Sequence, residues 1–268
     1  MRQFFRVMVA AVAACLAVPA APALAAPVTI SLGGTCTTSC GLDGTDGIAR
    51  VFSFTDNLGL SSSARVTAWS ATPNVLTGAL TNWRTAFVNY AGDGLGITNQ
   101  DEGTGALNNQ AAIDNLTGTD FLVIRFDDNV TVTGATLNAF AMTAGLWGTG
   151  RDADASFFIG TSTVPFATSI NMADTAQRLS AMTHYIEASG DTSGLREFNA
   201  GTRYSGNTLV IAASVSEANR WGLVDRPDAF KVASIRVEYP VPAPEPAAVG
   251  LFGLGVLALG VRRRKPKA

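Results

Sequence analysis

Between residues 26 and 240, apolar and polar positions alternate with a period of two, the spacing of strands that bury one face. Val28-Thr29-Ile30-Ser31-Leu32, Arg50-Val51-Phe52-Ser53-Phe54 and Arg65-Val66-Thr67-Ala68-Trp69 all follow it. The same alternation returns at 85–90, 120–126, 130–140, 156–159, 208–215 and 230–239, and clusters of Gly, Asn, Asp or Pro separate most of these runs. From residue 130 the order Val-Thr-Val-Thr puts Val130 and Val132 on one face and the threonines on the other. One stretch, 172–182, suits a helix or helical turn, with Asp174 near its start. Many short strands at regular spacing predict an all-β domain, a single antiparallel β-sandwich of jelly-roll-like form.

The two ends break the pattern. At the start, Arg2 and Arg6 precede a short apolar run over 7–18, and Ala23-Leu24-Ala25 offers small residues at the two positions a signal peptidase reads. A signal peptide over 1–25, cleaved after Ala25, follows from that order. Val12-Ala13-Ala14-Cys15 also has the look of a lipobox, in which Cys15 would carry lipid. Its apolar run would be unusually short. A membrane span is excluded by length and by Pro19 and Pro22.

At the other end, 241–268 has three parts. Val241-Pro242-Ala243-Pro244-Glu245-Pro246 is an extended spacer, because its prolines lack donors and fix φ. Uncharged residues follow over 247–261, a helix of roughly 22 Å against a hydrocarbon core of about 30 Å. Arg262, Arg263, Arg264 and Lys265 then hold that end on the cytoplasmic side. A chain exported from its N-terminus and halted here keeps its domain outside the inner membrane. This arrangement of Pro244-Glu245-Pro246, apolar run and basic cluster resembles the PEP-CTERM sorting signal of Gram-negative bacteria. The resemblance implies an exosortase as processing partner, passage to the cell surface or medium, and an association with exopolysaccharide and biofilm.

Charge sharpens the picture of the 26–240 domain. It holds 12 basic and 20 acidic residues, a net charge of −8, and a single lysine, Lys231. Such a surface repels phosphate backbones, so nucleic acid is excluded as a partner, while divalent cations and neutral polymers suit it. Cys36 and Cys40, four residues apart in an exported chain, are expected to form a small disulfide loop. With one histidine, His184, a tetrahedral zinc site lacks ligands.

Candidate chemistry concentrates at 93–115. Asp93, Asp101, Glu102 and Asp114 sit among glycines and asparagines, the oxygen-rich, turning backbone that Ca²⁺ binding needs. Their spacing is not that of an EF-hand, and the same residues suit a solvated loop whose side chains cap turns. Other PEP-CTERM proteins look similar here, with a Gly-Leu-Gly-Ile step (94–97), an acidic loop (101–102), Ile113-Asp114 and Asp120-Phe121-Leu122. Asp127-Asp128 and Arg151-Asp152-Ala153-Asp154 read as turns between strands. Trp69, Trp83, Trp147, Trp221, Tyr90 and Tyr204 suit either a sugar-stacking platform or plain packing. No Gly-x-Ser-x-Gly elbow accompanies His184, and catalysis is not expected. The alternatives are a carbohydrate-binding module and a carbohydrate-active hydrolase, the latter needing only two carboxylates.

Overall fold

The computed structural model describes residues 27–33, 36–38, 46–56, 59–73, 79–102, 111–144, 148–198, 203–216 and 227–240. Ala25, Cys40, Trp147, Trp221, the Pro244-Glu245-Pro246 spacer and the Arg262–264 cluster lie outside the described residues, as does the expected Cys36–Cys40 pairing through its second member.

Among the described residues fifteen strands follow in chain order: β1 (Val28–Ser31), β2 (Cys36–Thr38), β3 (Arg50–Thr55), β4 (Ser61–Pro73), β5 (Leu80–Ala91), β6 (Gly94–Thr98), β7 (Ile113–Asp114), β8 (Thr119–Ala139), β9 (Ala141–Ala144), β10 (Gly148–Arg151), β11 (Ala155–Gly160), β12 (His184–Ala188), β13 (Gly194–Glu197), β14 (Tyr204–Ala213) and β15 (Ala229–Glu238). Thirteen form one antiparallel sheet, and β9 and β10 pair apart from it. The all-β expectation holds. The stretch at 172–182 becomes two 3₁₀ turns, Thr175–Gln177 and Leu179–Ala181, and Asp174 caps the first by accepting from Ala176 N. Among the described residues no helix is long and apolar enough to cross a membrane.

Alternation survives wherever one face meets solvent. Val130 and Val132 are buried while Thr131 and Thr133 are half-buried, as their order requires. Two runs read from sequence as separate strands, 120–126 and 130–140, are joined in the 21-residue β8. Asp127-Asp128 is therefore not a turn. The strand runs through because the Asp127 carboxylate accepts from Ser62 Oγ and Ser63 N, both at 2.7 Å, satisfying donors at the start of β4.

The two halves of β8 have different neighbours. The first lies between β4 (Val66↔Ile124) and β14 (Leu209↔Ile124). The second pairs with β15 (Ile235↔Ala135) and with β13 (Arg196↔Ala135). From β15 the pairing continues through β6 and β5 back to β4. Side chains from β4, β5, β6, β8, β14 and β15, with others from β3 and β11, meet in one core that includes Phe52, Val66, Leu95, Leu122, Ile124, Leu137, Phe157, Leu209 and Phe230. A second cluster covers the opposite face of β4, β8 and β14. There Trp69, Phe121, Val123 and Val210 pack under Ile170 and Met172 from the segment between β11 and β12.

Candidate metal centre

Strand β6 delivers the chain to a tight turn at 99–102. Asn99, only 1% exposed, shapes it. Its Oδ1 accepts from Asp101 N at 3.0 Å and Glu102 N at 3.2 Å, an Asx turn, while its own N donates to Glu102 Oε2 at 3.0 Å. Asn99 Nδ2 reaches across to Thr117 Oγ1 at 3.1 Å and Asp120 Oδ1 at 3.2 Å. The turn is thereby pinned to the start of β8. Asp114 comes from the two-residue β7, held against β15 by the pairing of Asp114 with Ala229. Its Oδ1 accepts from Leu116 N at 2.9 Å.

These elements bring Glu102, Asp114 and Asp120 together, each offering a carboxylate oxygen within 4.8 Å of the others. Asp114 and Asp120 are fully buried and Glu102 partly so. Burial, and then the neighbouring Glu102 charge, pushes the Asp114 carboxyl up to about 8. Asp120 is driven well above the usual carboxylate range by burial and by the charges of Asp114 and Glu102. Glu102 is raised too, first by burial. Three acids that resist ionising side by side will take either protons or a cation. With Asn99 and Thr117 alongside, the donor set is all oxygen and suits a hard divalent ion such as Ca²⁺ rather than zinc.

Of the four residues expected to bind metal, two stand in this cluster and two do not. Asp93 faces Lys231, whose Nζ lies 3.0 Å from Oδ1 and over the Phe140 ring at 4.7 Å. Asp101 pairs with Arg84 at the surface, 2.5 Å apart. An ordinary cation partner already occupies each. Removing Asp93 by Asp93→Ala strands a lysine side chain that is 7% exposed, and is expected to cost about 1–2 kcal/mol in denaturant melts. It should leave any Ca²⁺ response intact.

Asp120 was visible in the Asp-Phe-Leu step but not as a ligand, since spacing alone does not show that β8 begins beside β7. The stretch read as a turn, Arg151 to Asp154, also has a different part to play. Asp152 and Asp154 meet Asp228 within 4.8 Å. Asp228 accepts from Asp154 N, Ser214 N and Asn115 Nδ2 at 2.8–3.0 Å, and Asp154 accepts from Gly190 N. This second acidic group is rich in amide donors and ties β7, β11, β14 and β15 at one place.

The aromatic residues mostly pack. Trp69 is in the second core cluster, and Trp83 meets the Phe121 ring at 4.6 Å and the Arg178 guanidinium at 5.8 Å. Tyr90 donates to Gly33 O, and Tyr204 meets His184 and Phe198 edge-on. The exposed aromatic that the sequence pattern does not single out is Tyr185, 49% exposed and against Phe158 at 4.9 Å.

A β-sheet domain with a buried carboxylate cluster defines a class of scaffold, not an activity. The more specific finding is the tail: residues 242–265 match the PEP-CTERM protein-sorting motif, and by this tail the chain is a PEP-CTERM protein. The motif marks an exported, exosortase-sorted protein that is membrane-anchored during sorting in Gram-negative bacteria. No curated protein and no solved structure matches the chain.

Proposed function

We propose that this is a non-enzymatic surface or matrix protein, delivered through its PEP-CTERM tail and associated with exopolysaccharide and biofilm. The sorting motif at 242–265 carries this reading. Signal peptidase removes 1–25, the 247–261 helix holds the chain in the inner membrane, and exosortase cleaves near Pro244-Glu245-Pro246 to release the domain to the surface. The body is a jelly-roll-like β-sandwich, a reading supported by the different partners of the two halves of β8 and by the core shared between them. Glu102, Asp114 and Asp120 hold a structural Ca²⁺, supported by their mutual approach and burial.

Intact mass of the protein from membrane and medium fractions tests the delivery. The expected medium species begins near Ala26 and ends close to Pro244–Pro246, and Glu245→Ala keeps the tail and stays with membranes. Finding the native chain in the cytoplasm with Met1 and Ala268 both present overturns the reading.

A carbohydrate-binding module is the second reading, favoured by Tyr185. Its exposed ring leans on Phe158, and its hydroxyl and Ser156 Oγ both donate to the Glu187 carboxylate, an apolar face with a polar edge of the kind sugars stack on. Retention on polysaccharide gels that is lost in Tyr185→Ala would favour it over a purely structural role.

A further inference from the structure

In a domain with excess acid, two arginines stand side by side without a carboxylate partner among the described residues. Arg65 of β4 lies directly opposite Arg125 of β8 in the antiparallel register. Like charges in that position repel. Arg125 is 3% exposed and Arg65 half-buried. Among the described residues neither forms an ion pair, although acids outnumber bases in this domain by 20 to 12. Asp127, two residues beyond Arg125, has its carboxylate engaged by Ser62 and Ser63.

What the two guanidinium groups do touch is instructive. Arg125 gives its terminal nitrogens to the carbonyls of Val164, Pro165 and Thr168, at 2.5, 3.3 and 3.5 Å. Those bonds tie down the segment after β11 and leave the Nε edge over. The Nε of Arg125 and the Nε of Arg65 are both buried and both without an acceptor. A buried donor without an acceptor is costly, and a buried cation without a counter-charge more so. The flanking row, Val51 beside Arg65 and Thr208 beside Arg125, supplies no charge.

We propose that the Arg65–Arg125 pair is an oxyanion subsite, one that takes a carboxylate or sulfate group between the two guanidinium edges. A planar, forked donor is the side chain best matched to such groups. The subsite lies on the face of β4 and β8 that continues into the Trp69–Phe121 apolar cluster, so a ligand bearing both an acidic group and an apolar flank fits it. It is independent of the carboxylate cluster and of the sorting tail.

Isothermal titration of the mature, full exported protein with sodium sulfate and, separately, sodium glucuronate tests it, at ionic strength matched with chloride. Saturable binding of one equivalent of either anion is expected; the anion that binds tells tetrahedral from planar recognition. Arg65→Gln is expected to weaken binding about tenfold or more, the scale of one lost charge-assisted hydrogen bond. Arg203→Gln, at an arginine whose side chain is 52% exposed, should bind as the parent does. In chloride alone, Arg65→Gln should melt no lower than the parent, because it relieves the repulsion on Arg125. Absence of saturable binding of both anions, equal binding by Arg65→Gln, or a lower melt of that variant in chloride would each overturn the proposal.

Discussion

In chelating buffer the protein is expected to melt at a higher temperature at pH 5 than at pH 8, and millimolar Ca²⁺ is expected to remove that difference. The cause is the Glu102–Asp114–Asp120 cluster. The Asp114 carboxyl titrates near 3.8 in an ordinary setting and at about 8 in the folded domain. Between those values the folded state keeps a proton that the unfolded chain releases. Stability therefore falls as pH rises through that window, since it grows with pH only where the unfolded state holds more protons. Asp120 and Glu102 are raised in the same direction and deepen the fall. At about 1.4 kcal/mol for each tenfold change in proton affinity, the loss amounts to roughly a few kcal/mol, or about 5–10 °C for a domain of this size. A bound cation reverses the sign, because it binds the ionised carboxylates and displaces their protons. Asp120→Asn should raise the chelated melt at pH 8 and abolish the response to Ca²⁺. A melt that does not change with pH, chelator or Ca²⁺ would remove the cluster from consideration.

Gly96→Ala is expected to cost about 3 kcal/mol and to erase the same Ca²⁺ response. A Cβ on Gly96 would meet Ala111 O at 2.1 Å and Ala111 C at 2.8 Å. Both are backbone atoms, so no rotamer change relieves the overlap, and the 111–114 segment must move. That segment carries Asp114 and is joined to β6 by the Ile97 N to Ala112 O hydrogen bond. Displacing it opens the carboxylate cluster from a position that contributes no ligand. Gly92→Ala is the control, since an added Cβ there has nothing within 4 Å. Denaturant melts with and without Ca²⁺ measure both effects. Equal stability of the Gly92 and Gly96 variants would show that β7 can retreat freely.

The sequence pattern revealed strands with a face in water, such as β3, and also β11, whose six residues are all buried. β3, β11, β14 and β15 emerge close to their expected positions. β6 escaped detection because Gly-Leu-Gly-Ile-Thr sets glycines, not polar side chains, between its apolar residues, and glycines in such a run read as a turn. The join within β8 was hidden for the opposite reason. Asp127, Asp128 and Asn129 are exposed and turn-like in composition, and only the Ser62 and Ser63 donors of a distant strand explain why the chain runs straight on. The acidic stretch at 93–115 supplies two of the three carboxylates that gather, Glu102 and Asp114. Membership was set by tertiary partners: Lys231 and Arg84 claimed Asp93 and Asp101, and the start of β8 supplied Asp120. Arg65 and Arg125 gave no signal at all, because cross-strand register is invisible along a single chain.

The strand that precedes the tail is held along both of its edges. β15 is paired with β8 along most of its length and touches β1, β6 and β7 as well, with Val28 opposite Val237. A pull applied at Pro240 enters β15 at its C-terminal end, where Val237 is paired on both edges. Many ladder bonds then resist together, in shear, instead of opening one after another like a zipper.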